Sequence, residues 1–303
     1  MAQVITTQPH LASPGDLFAL MKPRVMSLVI FTALVGMLVS PMDAHPILMI
    51  ISILAIAAGA GASGAINQWY DRDIDAQMER TANRPLPQGL VQPDEALSLG
   101  LIISVLSVLV LYFTGGASAA AMLAFTIFFY GFIYTVWLKR STTQNIVIGG
   151  AAGAFPPVIG WLAAGGDFGL APAILFLIIF AWTPPHFWAL ALVRNDDYTR
   201  VGVPMFPVIH GFKATKNQIF IYALIVAVAG MIPTLIGLSS YAYMALSAVL
   251  GLRFVMLSWA VWRSDDADLQ TPMVLFRFSI LYLFLIFLGL GLDAAIAPFW
   301  MGT

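Results

Sequence analysis

Residues 46–75 read PILMIISILAIAAGAGASGAINQWYDRDID. The stretch joins an uncharged apolar run directly to a cluster of carboxylates. Residues 46–66 match the roughly 20 apolar residues that a helix needs to cross the hydrocarbon of a bilayer. Their apolar character is continuous, whereas a barrel strand would alternate apolar and polar positions. The segment therefore reads as a membrane helix that runs straight into a polar face.

The rest of the chain repeats this pattern. Apolar runs lie at about 25–40, 46–66, 97–114, 118–138, 143–163, 170–192, 217–237, 241–262 and 273–293. The expected architecture is all-α: a polytopic membrane protein with nine transmembrane helices in one bundle. Composition agrees, because 60% of the 303 residues are hydrophobic and only 10% are charged. The mean hydropathy is +0.89. A soluble domain carries roughly 25% charged residues. The net charge of −1 gives no basic surface for nucleic acid, and the absence of cysteine removes disulfides and thiolate chemistry.

Twelve of the fourteen Lys and Arg residues fall in alternate loops or at the helix ends beside them. The opposite loops, near Pro41, Gly115, Gly166 and Ser239, hold none. The positive-inside rule then places the N-terminus in the cytoplasm and the C-terminus outside. Residues 1–20 form a polar cytoplasmic tail without the features of a signal peptide or the Arg of a mitochondrial leader. Residues 21–303 form a single domain, with two long cytoplasmic loops at about 67–96 and 193–216. Polarity on one face favours a site that opens to the cytoplasm and inner leaflet. A transporter of an anionic lipid or metabolite would need polar groups through the whole thickness.

Asn67, Asp71 and Asp75 are spaced by four and share one helical face, with Asp73 on the other. An amide and two carboxylates make an all-oxygen set suited to Mg²⁺, which favours one or two carboxylates plus substrate phosphate. Arg80 and Arg84 follow closely, and guanidinium groups grip phosphate oxygens. The bland alternative is a solvated loop with surface ion pairs. A second cluster, Arg194-Asn-Asp196-Asp197-Tyr-Thr-Arg200, follows the sixth span and can add ligands and phosphate donors. In that span His186 stands about eight residues, or ~12 Å, from the cytoplasmic end. A buried histidine is usually a hydrogen-bonded structural group, but an ionisable residue within a membrane is also a functional candidate. Pro184-Pro185 beside it, and Pro156-Pro157 in the preceding span, are expected to bend their helices around a chamber. Arg253 and Arg277 are the basic residues inside spans. Arg253 is expected to face the bundle interior, and Arg277 can snorkel.

The first motif in a nine-helix chain resembles the UbiA-type intramembrane prenyltransferases. A wider set of segments is similar to the haem-farnesylating members of that family. They are NQWYDRDIDAQMERTANRPLPQG (67–89), KRSTTQNIVIGGAAGAFPPVIGW (139–161), TPPHFWALAL (183–192) and DDYTRVGVPMFP (196–207). The resemblance runs from about Lys22 to the last span. Many relatives carry two Asp residues four apart in the second motif, where this chain has Arg200 and Val201.

The resemblance implies transfer of a farnesyl group from farnesyl diphosphate to a vinyl group of haem b, with addition of water, giving haem O and diphosphate. It implies Mg²⁺ on Asn67, Asp71, Asp75, Asp196 and Asp197. The residues themselves are expected to supply diphosphate contacts from Lys22, Arg24, Arg80, Arg84, Arg194, Arg200 and Lys213, and a haem side from His186, Arg253 and Arg277. Asn67, Asp71, Asp75, Arg80, Arg84 and Asp197 would be the catalytic set. Another aromatic or tetrapyrrole acceptor is the nearer alternative. The expected location is a bacterial inner membrane, with the mitochondrial inner membrane as alternative. A haem-modifying enzyme of oxidase assembly is the implied downstream partner.

Overall fold

The computed structural model describes residues 12–41 and 44–301. The first part of the expected cytoplasmic tail, Asp43 and the extreme C-terminus lie outside the described residues. The described residues form helices without a strand: α1 (Pro14–Leu20), α2 (Pro23–Leu38), α3 (Pro46–Asp75), α4 (Pro93–Phe128), a π-helical stretch (Phe129–Leu138), α5 (Lys139–Ser141), α6 (Asn145–Ala163), α7 (Leu170–Val193), α8 (Asn195–Arg200), α9 (Phe206–Leu235), α10 (Tyr241–Arg263) and α11 (Gln270–Met301). Among the described residues, seven helices are long and apolar enough to cross a membrane, or eight if the bent pair α1 and α2 forms one span.

One of the seven, Pro93–Ser141, is 49 residues long, far more than a single crossing needs. It is broken at Gly116, whose φ of 83° and ψ of 172° leave the helical region. The chain doubles back there. Positions 100 and 131 would lie about 46 Å apart on a straight helix, yet a Cβ on either glycine would meet the side chain of the same Ile66. Position 59 likewise faces both Ser107 and Leu123, one from each arm. The expected spans at 97–114 and 118–138 are these two arms.

Small residues set the central packing. A Cβ added at Gly36 of α2 would overlap the carbonyl of Pro157 in α6, and one at Gly160 of α6 would overlap the carbonyl of Ala33 in α2. The two backbones are in direct contact, as small residues permit between membrane helices. Gly150 of α6 leaves room for the side chain of Thr183 in α7. Pro156-Pro157 and Pro184-Pro185 do not interrupt their helices: α6 and α7 each run through their proline pair.

Helices α3 and α7 end at the same side of the bundle. There Ile74 and Met78 pack with Ile146, Ala191, Tyr198, Val203 and Met205. This small cluster gathers the ends of α3 and α7, the start of α6 and both long loops around one polar site.

Candidate active site

Helix α3 carries the apolar span for its first five turns and the polar site in its last three. Asn67, Asp71 and Asp75 are buried on one face, while Asp73 is exposed. The spacing of four places them so. A buried carboxylate must be paired, and each of these is. Asn67 Nδ2 donates to Asp71 Oδ2 (2.7 Å) and to Thr135 Oγ1 (3.1 Å). Lys139 Nζ donates to Asp71 Oδ2 at 2.5 Å, and Arg84 Nη1 to Asp75 Oδ2 at 2.5 Å. Lys22 Nζ donates to Asn67 Oδ1 at 2.6 Å. Arg140 holds the exposed Asp73 through two bonds (2.8 and 2.6 Å) and approaches Asp71 Oδ1 at 3.6 Å.

Local backbone structure explains these placements. Lys22 lies in the break between α1 and α2, outside both helices, with a left-handed φ of 52°. That region is uncommon for a residue with a Cβ. The Lys22 corner sits over Gly61 and Gly64 of α3, and Gln68 Nε2 donates to Leu20 O (2.7 Å) to hold it. Thr135 lies in the π-helical stretch and donates to Tyr130 O, five residues earlier (2.7 Å). Helices of this kind often mark functional sites, and here the stretch ends at Lys139. The ring of Tyr134 packs where a Cβ on Gly149 would stand, and it stacks on Tyr130 at 5.4 Å.

The chain turns after Asp75, so Arg80 and Arg84 do not share a helical face. Thr81 Oγ1 donates to Asp75 O (2.9 Å) and turns Arg84 back onto Asp75, whereas Arg80 is exposed. In α8, Asp197 and Tyr198 are buried and Asp196 is exposed. Adjacent helical residues point about 100° apart, and with Asp197 and Tyr198 turned inward Asp196 falls on the outer face. Arg200 Nη2 is 3.4 Å from Asp197 Oδ1, and Arg194 pairs with Glu79 at 3.3 Å. The Arg194–Glu79 pair, with Arg200 Nη1 donating to Gln77 O (3.5 Å), docks α8 against the turn after α3. Arg24 and Lys213 are exposed and form no part of the buried network.

The expected haem side is arranged differently. His186 is buried between Trp182 and Phe276, with ring centroids at 4.2 and 4.6 Å. Its Nδ1 is 2.6 Å from Ser279 Oγ in α11. A helix, not an open cavity, supplies its partner. Arg253 is exposed, contrary to the expectation that it faces the interior. The buried stripe of α10 is Tyr243, Ser247, Gly251, Phe254, Ser258 and Val261, and Arg253 lies off it. Arg277 is also exposed.

Lys139, Arg140 and Thr135 join the candidate site only in the folded structure. A basic pair at the end of a span, on the same membrane face as the acidic triplet, was the available signal. Thr135 gave none, because its role depends on the π-helical geometry.

The donor set fits a divalent cation shared with a ligand. Among the described residues, no group of three or more His, Asp or Glu residues could hold a metal alone. Yet Asp71 Oδ1 and Asp197 Oδ2 are buried oxygens without a hydrogen-bond donor. Such atoms are costly unless something completes them, and Mg²⁺ prefers a few carboxylates plus phosphate oxygens.

The model of the UbiA prenyltransferase family matches residues 29–294. The chain belongs to this family. It is 55% identical over 287 residues to protoheme IX farnesyltransferase 2 of Mesorhizobium japonicum, covering 94% of this chain and 91% of that protein. It is 58% identical over 279 residues to the protoheme IX farnesyltransferase of Beijerinckia indica subsp. indica, covering 91% and 87%. Among solved structures, digeranylgeranylglyceryl phosphate synthase superposes with a TM-score of 0.77 at 17% identity, covering 92% of this chain and 98% of that one. A UbiA homologue from Archaeoglobus fulgidus bound to DMAPP and Mg²⁺ gives 0.70 at 15% identity, covering 90% and 99%. At such identities these structures support the family's fold and nothing finer.

Proposed function

We propose that this protein transfers a farnesyl group from farnesyl diphosphate to a vinyl group of haem b, with addition of water, yielding haem O and diphosphate. The observation that carries the reading is the buried Asn67–Asp71–Asp75 face, ringed by Lys22, Arg84 and Lys139, at the end of an apolar helix. Relatives of about 55% identity named protoheme IX farnesyltransferase supply the acceptor. Asn67, Asp71, Asp75 and Asp197 would hold Mg²⁺, which when bound offsets charge on the diphosphate oxygens.

The chain's own groups do the rest. Lys22, Arg84, Lys139 and Arg140 stabilise the charge that develops on the leaving diphosphate as the allylic C–O bond breaks. The faces of Tyr130 and Tyr134 stabilise the allylic cation. An aromatic column continues into the bundle through Phe129, Phe155, Phe176 and Phe180, with centroids 6.2, 5.0 and 5.4 Å apart. It keeps water away until the vinyl carbon forms the new C–C bond. Water then supplies hydroxide to the resulting acceptor cation and loses a proton. Asp196, Arg24 and Lys213 have no part in this assignment, and His186 serves as a structural residue beside the chamber.

The two arms around Gly116 count as separate crossings, which gives nine spans with the α1–α2 corner as the first. The N-terminus faces the cytoplasm, the C-terminus lies outside, and the membrane is a bacterial inner membrane. An enzyme that modifies haem further takes the product. The test is to incubate purified protein with haem b, farnesyl diphosphate and Mg²⁺, and to measure the mass of the haem product. A mass gain of one farnesyl group plus one hydroxyl group is expected. Unchanged haem, with prenylation of 4-hydroxybenzoate instead, would overturn the acceptor.

A further inference from the structure

Asn145 stands at the first turn of α6 and is almost wholly buried, at 1% exposure. Its Nδ2 donates to two backbone carbonyls, those of Lys139 and Pro204, each at 3.4 Å. Lys139 carries the ammonium that sits on Asp71. Pro204 belongs to the turn after α8, whose Asp197 faces inward. One side chain therefore joins the backbone behind Lys139 to the segment that carries the second acidic motif. The neighbouring contacts follow the same line: Ile146 packs with Ile74, Tyr198 and Val203, and His210 Nε2 lies 3.2 Å from Thr143 Oγ1. Asn145 Oδ1 is buried without a donor. Only the amide's donor half is used, and an uncompensated buried acceptor is costly. An apolar residue would fill the space without that cost but could not reach the two carbonyls.

We infer that Asn145 is a positioning residue for diphosphate binding. It acts through Lys139, by fixing the corner 139–145 against the 197–204 segment so that the ammonium stays on Asp71. The inference rests on the prenyl diphosphate reading above and adds a residue to it that touches neither metal nor substrate. A long, flexible lysine stem does not hold its own position, and small displacements of a charged group at a reacting centre are expensive.

The test measures the affinity of detergent-purified protein for farnesyl diphosphate with Mg²⁺, alongside the melting temperature. Asn145→Ala is expected to weaken binding about 10-fold. In a Lys139→Ala background the same change should cost less than about 2-fold, because residues acting as one unit are not additive. Asn145→Leu keeps the volume and removes both donors without adding a charge, so it should match Asn145→Ala in affinity and decide the matter if the alanine variant does not fold. Equal losses in both backgrounds, or Asn145→Leu binding like wild type, would overturn the inference. Wild-type protein that binds no farnesyl diphosphate would instead sink the functional reading, and this inference with it.

Discussion

Replacing Asp71 or Asp75 by Asn keeps the side-chain shape and removes the charge. Lys139 and Arg84 would then lose their buried partners, and a divalent cation would lose its ligands. Each variant should reduce farnesyl transfer by about 100-fold or more, and EDTA should mimic them in the wild type. Asp73→Asn should cost far less, because Asp73 is exposed and bonds Arg140 at the surface. Equal loss from all three, in steady-state assays of protein of matched purity, would refute the face argument. His186 yields a different outcome. Its Nδ1 contact to Ser279 and its stack on Phe276 tie α7 to α11. His186→Ala should lower the yield and melting temperature of folded protein, at a cost of roughly 2–4 kcal/mol for a truncated buried ring. Surviving protein should retain farnesyl transfer. A stable variant without haem binding would return His186 to the acceptor.

Backbone contact between α2 and α6 makes a prediction at the level of elements. Gly36→Ala and Gly160→Ala each place a methyl group on a carbonyl oxygen of the facing helix. Overpacking costs roughly 1–3 kcal/mol where neighbours can shift, and more is expected where the obstacle is backbone. Gly153→Ala, with nothing within 4 Å of its Cβ, is the control. Thermal unfolding in detergent should rank Gly153→Ala near wild type and the other two well below it. Element-level features were unevenly legible in the sequence. The apolar runs marked both arms of Pro93–Ser141, because hydropathy is a local property. The four-residue spacing of Asn67, Asp71 and Asp75 predicted their shared face for the same reason. The return of Arg84 to Asp75, the inward choice of Asp197 over Asp196 and the outward Arg253 were not legible. Each depends on how a turn or a helix is rotated against its neighbours, and tertiary packing sets that rotation.

For the whole molecule, the distribution of Lys and Arg predicts that a reporter inserted near Gln92 lies on the cytoplasmic side. A C-terminal fusion should lie on the opposite side. An external reading at Gln92, by protease protection or an enzymatic reporter, would reverse the bundle and move the active site to the other leaflet. Both ends of this argument come from loop charge alone, so it is independent of the site geometry.

The buried acidic network lies at one end of the bundle, and large apolar side chains stand on the outer surface, with Phe113, Leu235 and Val249 more than 60% exposed. In the proposed reaction Mg²⁺ is a solute of the aqueous phase, while a hydrophobic acceptor partitions into the lipid. The enzyme therefore senses the acceptor as a mole fraction of the surrounding amphiphile, not as a bulk molarity. Adding inert detergent at constant total haem should slow the reaction by surface dilution and leave its dependence on Mg²⁺ unchanged. A Michaelis constant for the acceptor then has meaning only beside the amount of micelle or bilayer in which it was measured.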